Sequence, residues 1–271
     1  MVKGAGTILV DEIGAAVEAL KSCVTPIFDA NYNGEAELLG SAVLIEILGD
    51  AFLCTAKHVI DGNAKSTMYV DGPSKMEILE GNFYATAGLD AAVLKLTTDQ
   101  IKMLRKYTPL PSDQIADPTE VFAARYANLV GFPETRNRKI YQQNKIKGLI
   151  YSVGGMVIES TLNKVRVSFN RKRNLDAKTR KRVQAPHPHG MSGGAMFGTP
   201  MNDATIKGKP NPKLIGIMTD YPSSSNEIFG PSTAIVMAIV RDAWGKAIPV
   251  RLQVPSVKTR LSVTGMAAPE S

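Results

Sequence analysis

The chain reads as an all-β protein built from two strand-rich lobes. Three observations carry that reading. Short apolar runs of strand length recur along residues 39–96 and again along 121–221, Gly, Pro, Asn and Asp turns separate them, and helical periodicity is confined to short segments. At 271 residues such a chain can bury about 70–75% of its unfolded surface. Its 44% hydrophobic and 21% charged residues place it among packed globular proteins rather than disordered ones.

The elements follow in order. "DEIGAAVEALK" over 11–21 predicts a short helix. "LGSAVLIEI" (39–47) and "AFLCTAKHVI" (51–60) read as strands of a hairpin turning at Gly49-Asp50. "STMYV" (66–70), "KMEIL" (75–79) and "AAVLKL" (91–96) are further strands set apart by "DGPS" and "EGN" turns. Residues 98–120 hold three prolines and a short polar helical pattern, and read as a connector. Strands resume at 121–133, 145–160, 164–169, 194–198 and 213–221. "STAIVMAIVRDAW" (232–244) predicts a closing helix, and the tail after Pro249 is expected to be loosely held.

Several function classes are excluded or weakened by composition. The longest uncharged apolar run, "AIVMAIV" at 234–240, is far short of the roughly 18–20 residues that cross a bilayer, so no membrane partner is expected. Asp11, Glu12 and Glu18 interrupt any apolar signal core near the N-terminus, and a cytoplasmic location is expected. Cys23 and Cys54 lack metal-binding or redox spacing and are expected to be reduced, buried thiols. The net charge of +7 owes much to "RKRNLDAKTRKR" at 171–182, a solvated loop or a site for an acidic partner. No aromatic residue is interleaved there, which argues against nucleic acid.

The stretch "APHPHGMSGGAMFG" (185–198) spends four glycines and a serine on one turn. Gly190-Met191-Ser192-Gly193-Gly194 contains G-x-S-x-G, a pattern that also occurs in ordinary turns. A serine hydroxyl becomes a useful nucleophile when an imidazole takes its proton and a carboxylate orients that imidazole. The three histidines, His58, His187 and His189, all precede Ser192. That order excludes α/β-hydrolases, whose histidine follows the serine.

Three fragments together resemble the trypsin-like (chymotrypsin-fold) serine peptidase family. They are Thr55-Ala56-Lys57-His58, Asp90-Ala91-Ala92-Val93-Leu94 and Gly190-Met191-Ser192-Gly193-Gly194, in that order and 32 and 102 residues apart. Gly131-Phe132-Pro133 and "KLIGIMTDY" (213–221) are similar to that family's second-barrel strands, and the resemblance spans about residues 23–244. It implies one peptidase domain over 1–271. Its parts would be a first six-stranded antiparallel barrel at about 23–100, the connector at 98–120, a second barrel at 121–231, the helix at 232–244 and a tail at 245–271. It implies a serine endopeptidase with His58, Asp90 and Ser192 as catalytic residues, the N–H groups of Gly190 and Ser192 as oxyanion hole, and a protein or peptide as substrate. No cofactor and no metal are expected.

Met191 departs from members whose aspartate at that position pairs with a new N-terminus, so activation by that ion pair is not expected. The secreted members' disulfides are also missing, and the closest match is the intracellular bacterial-type branch. The 27 residues after the closing helix are too few for a PDZ domain. The resemblance places His187, His189, Met218, Thr219, Asp220 and Tyr221 around the specificity pocket, where His187 or His189 either contacts an acidic or polar substrate side chain or, alternatively, both face solvent or brace the loop. The alternative function is a catalytically silent two-barrel scaffold that binds protein or nucleic acid through its basic loop.

Overall fold

The computed structural model describes residues 5–30, 36–63, 67–137, 148–175, 181–200, 209–222, 224–245, 252 and 261–265. A helix α1 (Ala5–Leu20) leads into β1 (Val24–Ala30), β2 (Ala36–Ile47), β3 (Asp50–Thr55), the single turn α2 (Lys57–Asp61), β4 (Met68–Asp71), β5 (Met76–Ile78), β6 (Asn82–Thr86) and β7 (Ala92–Lys95). Short helices α3 (Thr98–Met103) and α4 (Pro118–Ala123) occupy the connector, and each opens on a capping box, from Thr97 and Asp117. The second half holds β8 (Ala124–Gly131), α5 (Glu134–Asn137), β9 (Tyr151–Ser160), β10 (Lys164–Ser168), the small pair β11 (Asn174–Leu175) and β12 (Arg182–Val183), β13 (Ala195–Pro200), β14 (Lys213–Ile217) and β15 (Glu227–Pro231). Helix α6 (Thr233–Trp244) and β16 (Leu261–Gly265) close the chain.

The fold is all-β, with two antiparallel sheets in the predicted order. The first runs β16-β6-β7-β3-β2-β1-β4-β5, so the predicted lobe supplies seven strands, β1 to β7, where six were expected, and β16 is added from the tail. The second runs β14-β13-β8-β9-β10-β15. Its outer strands meet: Phe229 N–H donates to the Asp220 carbonyl (3.1 Å), Thr219 N–H donates to the Phe229 carbonyl (2.9 Å), and Gly216 bridges Ser232. Those contacts close six strands into a barrel, which removes the exposed edges an open sheet would leave.

Packing explains why the strands read as near-continuous apolar runs. Along β2, Ala42 and Leu44 point into the first lobe's interior with Leu53, Val70 and Phe83. The intervening Val43, Ile45 and Ile47 face a layer between the lobes that also holds Phe52, Phe197 and Ile217. Successive side chains of a strand alternate faces, so burying both faces makes every position apolar. Helix α6 adds Ile235, Val236 and Ile239 to that middle layer, and Gly245 ends it in the left-handed region at φ 59°. Burying each such side chain is worth about 1.5–3 kcal/mol.

Some expectations shift. The run 51–60 is not one strand: β3 stops at Thr55, and His58 stands on α2. The hairpin turn is one residue earlier than predicted, because Ile47 pairs with Asp50 and the two loop residues are Leu48 (φ 51°) and Gly49 (φ 82°). The tail is not loose along 261–265, where β16 pairs with β6 from Leu261↔Thr86 to Gly265↔Asn82. The first helix begins at Ala5 rather than residue 11. Cys23 and Cys54 are buried free thiols, and burial pushes the Cys23 thiol up to about 12. No helix among the described residues is long and apolar enough to cross a membrane. Residues 176–180 of the basic stretch lie outside the described residues.

Candidate active site

Strand register brings the first two site residues together. β3 pairs with β7 through Thr55↔Ala92, and continuing that antiparallel register sets Asp90 opposite the start of α2. The Asp90 carboxylate takes two hydrogen bonds from His58, one from the backbone N–H to Oδ1 (2.9 Å) and one from the ring Nδ1 to Oδ2 (2.5 Å). Burial alone would raise the Asp90 pKa, but the hydrogen bonds from the His58 ring and from the backbone of His58 and Lys57 hold it below the usual carboxylate value. The same bond is the largest cause of the raised His58 pKa, opposed by burial and supported by the charges of Asp90, Asp220 and Asp61. An ionised carboxylate only accepts, so Nδ1 carries the proton and Nε2 is left as the basic nitrogen.

Ser192 lies on the turn before β13, in the second barrel. It reaches the first lobe through its own carbonyl, which accepts from Ser41 N–H (2.7 Å). The glycines around it meet specific demands. Gly193 sits at φ 86°, and a Cβ there would come 2.0 Å from the Ser41 carbonyl oxygen. Gly190 also sits at φ 86°, where a Cβ would lie 2.7 Å from the Phe132 carbonyl oxygen. Both positions therefore require glycine for conformation and for space.

The backbone groups of this turn are almost all engaged. The carbonyls of His189, Gly190, Met191 and Ser192 accept from Glu134 N–H (2.8 Å), Ser41 Oγ (2.9 Å), Gly194 N–H (2.8 Å) and Ser41 N–H (2.7 Å). The N–H groups of Met191, Gly193 and Gly194 donate to the carbonyls of Pro188, Met218 and Met191. Among the described residues no acceptor engages the N–H of Gly190 or of Ser192. With the other backbone groups of the turn paired, these two are the donors it has left for a ligand.

One cleft of about 380 Å³ is lined by His58, Asp90 and Ser192, together with His187, His189, Met218, Thr219, Asp220 and Tyr221, whereas Gly190 is not among its lining residues. Pro188, Met191 and Ile228 complete its wall. The Ser192 hydroxyl donates to the Thr219 carbonyl (3.2 Å) rather than to the imidazole. The other two histidines have separate partners. His187 Nδ1 accepts from His189 N–H (3.3 Å), its ring packs edge-on against Tyr221 at 5.5 Å, and burial, followed by the charges of Arg171 and His189, lowers its pKa. His189 Nδ1 lies 2.5 Å from Glu134 Oε2. Among the described residues no three His, Cys, Asp or Glu side chains are grouped to hold a metal ion.

Sequence reasoning missed Ser41 and Glu134. Ser41 Oγ accepts from Phe132 N–H (2.9 Å) while donating to the Gly190 carbonyl, tying the lobes together behind the serine. Neither residue belongs to a motif: one is a lone serine in an apolar strand, the other follows "GFP" at a distance of 55 residues from its partner.

No protein-family model matches the chain, and no curated protein matches it. Among solved structures it is similar to a Glu endopeptidase in complex with MPD, at 15% identity over 84% of this chain and 93% of that one, with a TM-score of 0.48. It is also similar to a chain from a structural study of the coupled folding and binding of the intrinsically disordered Sesbania mosaic virus VPg protein, at 15% identity over 80% of this chain and 95% of that one, again with a TM-score of 0.48. These are likenesses of chain path alone, so any chemistry must be argued from the side chains and backbone groups of the cleft.

Proposed function

We propose that the chain is a serine endopeptidase that hydrolyses peptide bonds through an acyl-enzyme. The observation that carries this reading is that one cleft holds an imidazole oriented by a carboxylate together with a serine hydroxyl, and that the serine's turn keeps two backbone N–H groups, those of Gly190 and Ser192, without an acceptor among the described residues. Ser192 Oγ attacks the scissile carbonyl carbon, and its proton passes to His58 Nε2. Asp90 holds the ring in the Nδ1–H tautomer and stabilises the imidazolium. The carbonyl oxygen becomes an oxyanion and accepts from the N–H groups of Gly190 and Ser192, which are already fixed in place. His58 then protonates the departing amine, and water repeats the sequence on the acyl ester to release the acid and restore the serine.

The hydroxyl must leave the Thr219 carbonyl for this step, a change of one side-chain rotamer. A peptide bound across the cleft would place its carbonyl oxygen at the two N–H groups. The pocket walled by Met191, Met218, Tyr221 and Ile228 would take the side chain before the cleaved bond.

A fluorophosphonate probe tests the reading directly. Labelling is expected at Ser192 in the native chain, absent in Ser192→Ala and strongly suppressed in His58→Ala. Labelling that survives Ser192→Ala would remove the assignment.

A further inference from the structure

The turn that carries Ser192 has a brace outside the residues so far given roles. The residue before the serine is the apolar Met191, 1% exposed and packed in the second barrel's core, so it offers no charge to anchor the turn. What anchors it on the outer side is Glu134, the first residue of α5. Its N–H donates to the His189 carbonyl (2.8 Å), and its carboxylate, with a side chain only 16% exposed, meets His189 Nδ1 at 2.5 Å. One residue therefore grips the backbone and the side chain of His189.

That grip has a directional consequence. There is no cis peptide among the described residues, so the His189 carbonyl and the Gly190 N–H point in opposite directions across one planar unit. Holding the carbonyl against α5 aims the N–H away from α5, the side on which the endopeptidase reading puts the oxyanion. Were the peptide to rotate, the carbonyl would enter the place where an oxyanion forms and repel it. Gly190 in the left-handed region has the freedom to make that rotation, which is why an external constraint matters. On the inner side, Ser41 Oγ holds the next carbonyl, that of Gly190.

We propose that Glu134 is a positioning residue that keeps the His189–Gly190 peptide turned with its N–H toward the cleft, so that the oxyanion hole is formed without an ion pair at the residue preceding the serine. The proposal rests on the serine endopeptidase reading. Glu134 does not touch the substrate; it acts through His189.

Steady-state hydrolysis of a peptide substrate by the full chain and a graded set of variants tests it, with thermal melts to establish folding. Glu134→Ala keeps the backbone donor and loses the side-chain grip, and kcat should fall about tenfold. Glu134→Pro, at a first helical position that accommodates proline, loses both, and kcat should fall about a hundredfold, approaching the loss of one oxyanion donor. KM should stay within about threefold in each, because the effect is confined to the transition state. Glu134→Gln can still accept from His189 Nδ1–H and should restore kcat to within about threefold of the native value, which a merely structural role would not require. Glu134→Ala combined with His189→Ala should be no slower than the slower single variant, since the two act as one unit. If Glu134→Pro does not fold, Glu134→Ala and its rescue by Gln decide the matter.

A native chain that labels at Ser192 and hydrolyses peptide, with Glu134→Ala at an unchanged kcat, overturns the brace and leaves the endopeptidase reading standing. A loss in Glu134→Ala that Gln does not restore, or that appears in KM instead of kcat, also overturns it. A native chain that neither labels nor hydrolyses removes the endopeptidase reading and the brace with it.

Discussion

His58 and Asp90 meet twice: the ring Nδ1 lies 2.5 Å from Oδ2, and the backbone N–H of the same residue lies 2.9 Å from Oδ1. The second bond fixes the carboxylate relative to the main chain, and the first then fixes the ring relative to the carboxylate. Orientation of the imidazole is thus inherited from the β3–β7 register rather than left to a free rotor.

This clamp sets the pH dependence. The His58 pKa lies above its ordinary 6.5, chiefly through the Asp90 hydrogen bond. The base must be neutral to accept the serine proton, so kcat/KM should rise with pH through a midpoint above that value. In Asp90→Asn the largest raising interaction, that of Asp90, is lost, so any residual activity should titrate at lower pH, and kcat should fall by about 10³–10⁴ because the amide supports the wrong tautomer. A pH–rate profile of both proteins checks this. A midpoint that does not move in Asp90→Asn would mean that His58 is not the titrating base.

The linked effect on stability has opposite signs for the two partners. The raised His58 pKa contributes stability that is full below the unfolded histidine value and is lost as pH rises through the folded one. The lowered Asp90 pKa contributes stability present above the unfolded carboxylate value and lost as pH falls through the folded one. The pair should therefore stabilise the fold most in the window between those limits.

Gly193 supplies a test independent of any proton transfer. At φ 86° it lies where an L residue is strained, and an added Cβ would approach the Ser41 carbonyl oxygen to 2.0 Å and Thr55 Oγ1 to 2.2 Å. Thr55 Oγ1 already donates to that carbonyl (2.8 Å), so neither atom can move without loss. Gly193→Ala should cost more than about 2 kcal/mol of stability and abolish phosphonate labelling. Chemical denaturation together with labelling measures both. A variant of native stability that still labels would show that the contact between the lobes behind the serine yields easily.

Much of this arrangement was legible in the sequence, for physical reasons that can be named. The three site fragments sit at strand ends and turns, where glycine and polar residues interrupt apolar runs, so both the elements and the interruptions were visible. β2 and β3 stood out because burial on both faces removes polar positions. β1 did not, because Pro26 breaks the strand pattern; β4 pairs only with Ile27–Asp29, so the proline stands where the ladder is one-sided. The break between β3 and α2 was hidden because neither glycine nor proline marks it within "AFLCTAKHVI", and the Lys57–Asp61 ion pair that spans the helical turn has the spacing of any surface pair. The Glu134–His189 contact had no local signal, since it joins residues 55 apart that tertiary packing alone brings together.

The two histidines ahead of the serine divide in the folded chain, and the division yields a last expectation. His189 turns its Nδ1 to Glu134, whereas His187 uses Nδ1 to accept the His189 N–H and therefore presents Nε2–H as a donor. Burial, with the charges of Arg171 and His189, disfavours a second proton on that ring, so His187 acts as a neutral donor rather than a cation. Its ring is braced by Tyr221, which in turn packs edge-on against Phe169 at 5.4 Å. A neutral donor beside the apolar wall of Met218, Tyr221 and Ile228 favours a substrate side chain that accepts a hydrogen bond, an amide or a carboxylate, over an apolar one of equal size. His187→Ala should reduce that preference about tenfold or more in kcat/KM while leaving phosphonate labelling intact, because a site that hydrogen-bonds its substrate discriminates through the group left unpaired. His189→Ala should slow turnover without changing the preference. A peptide library cleaved with the same side-chain selectivity by the native chain and by His187→Ala would remove His187 from specificity.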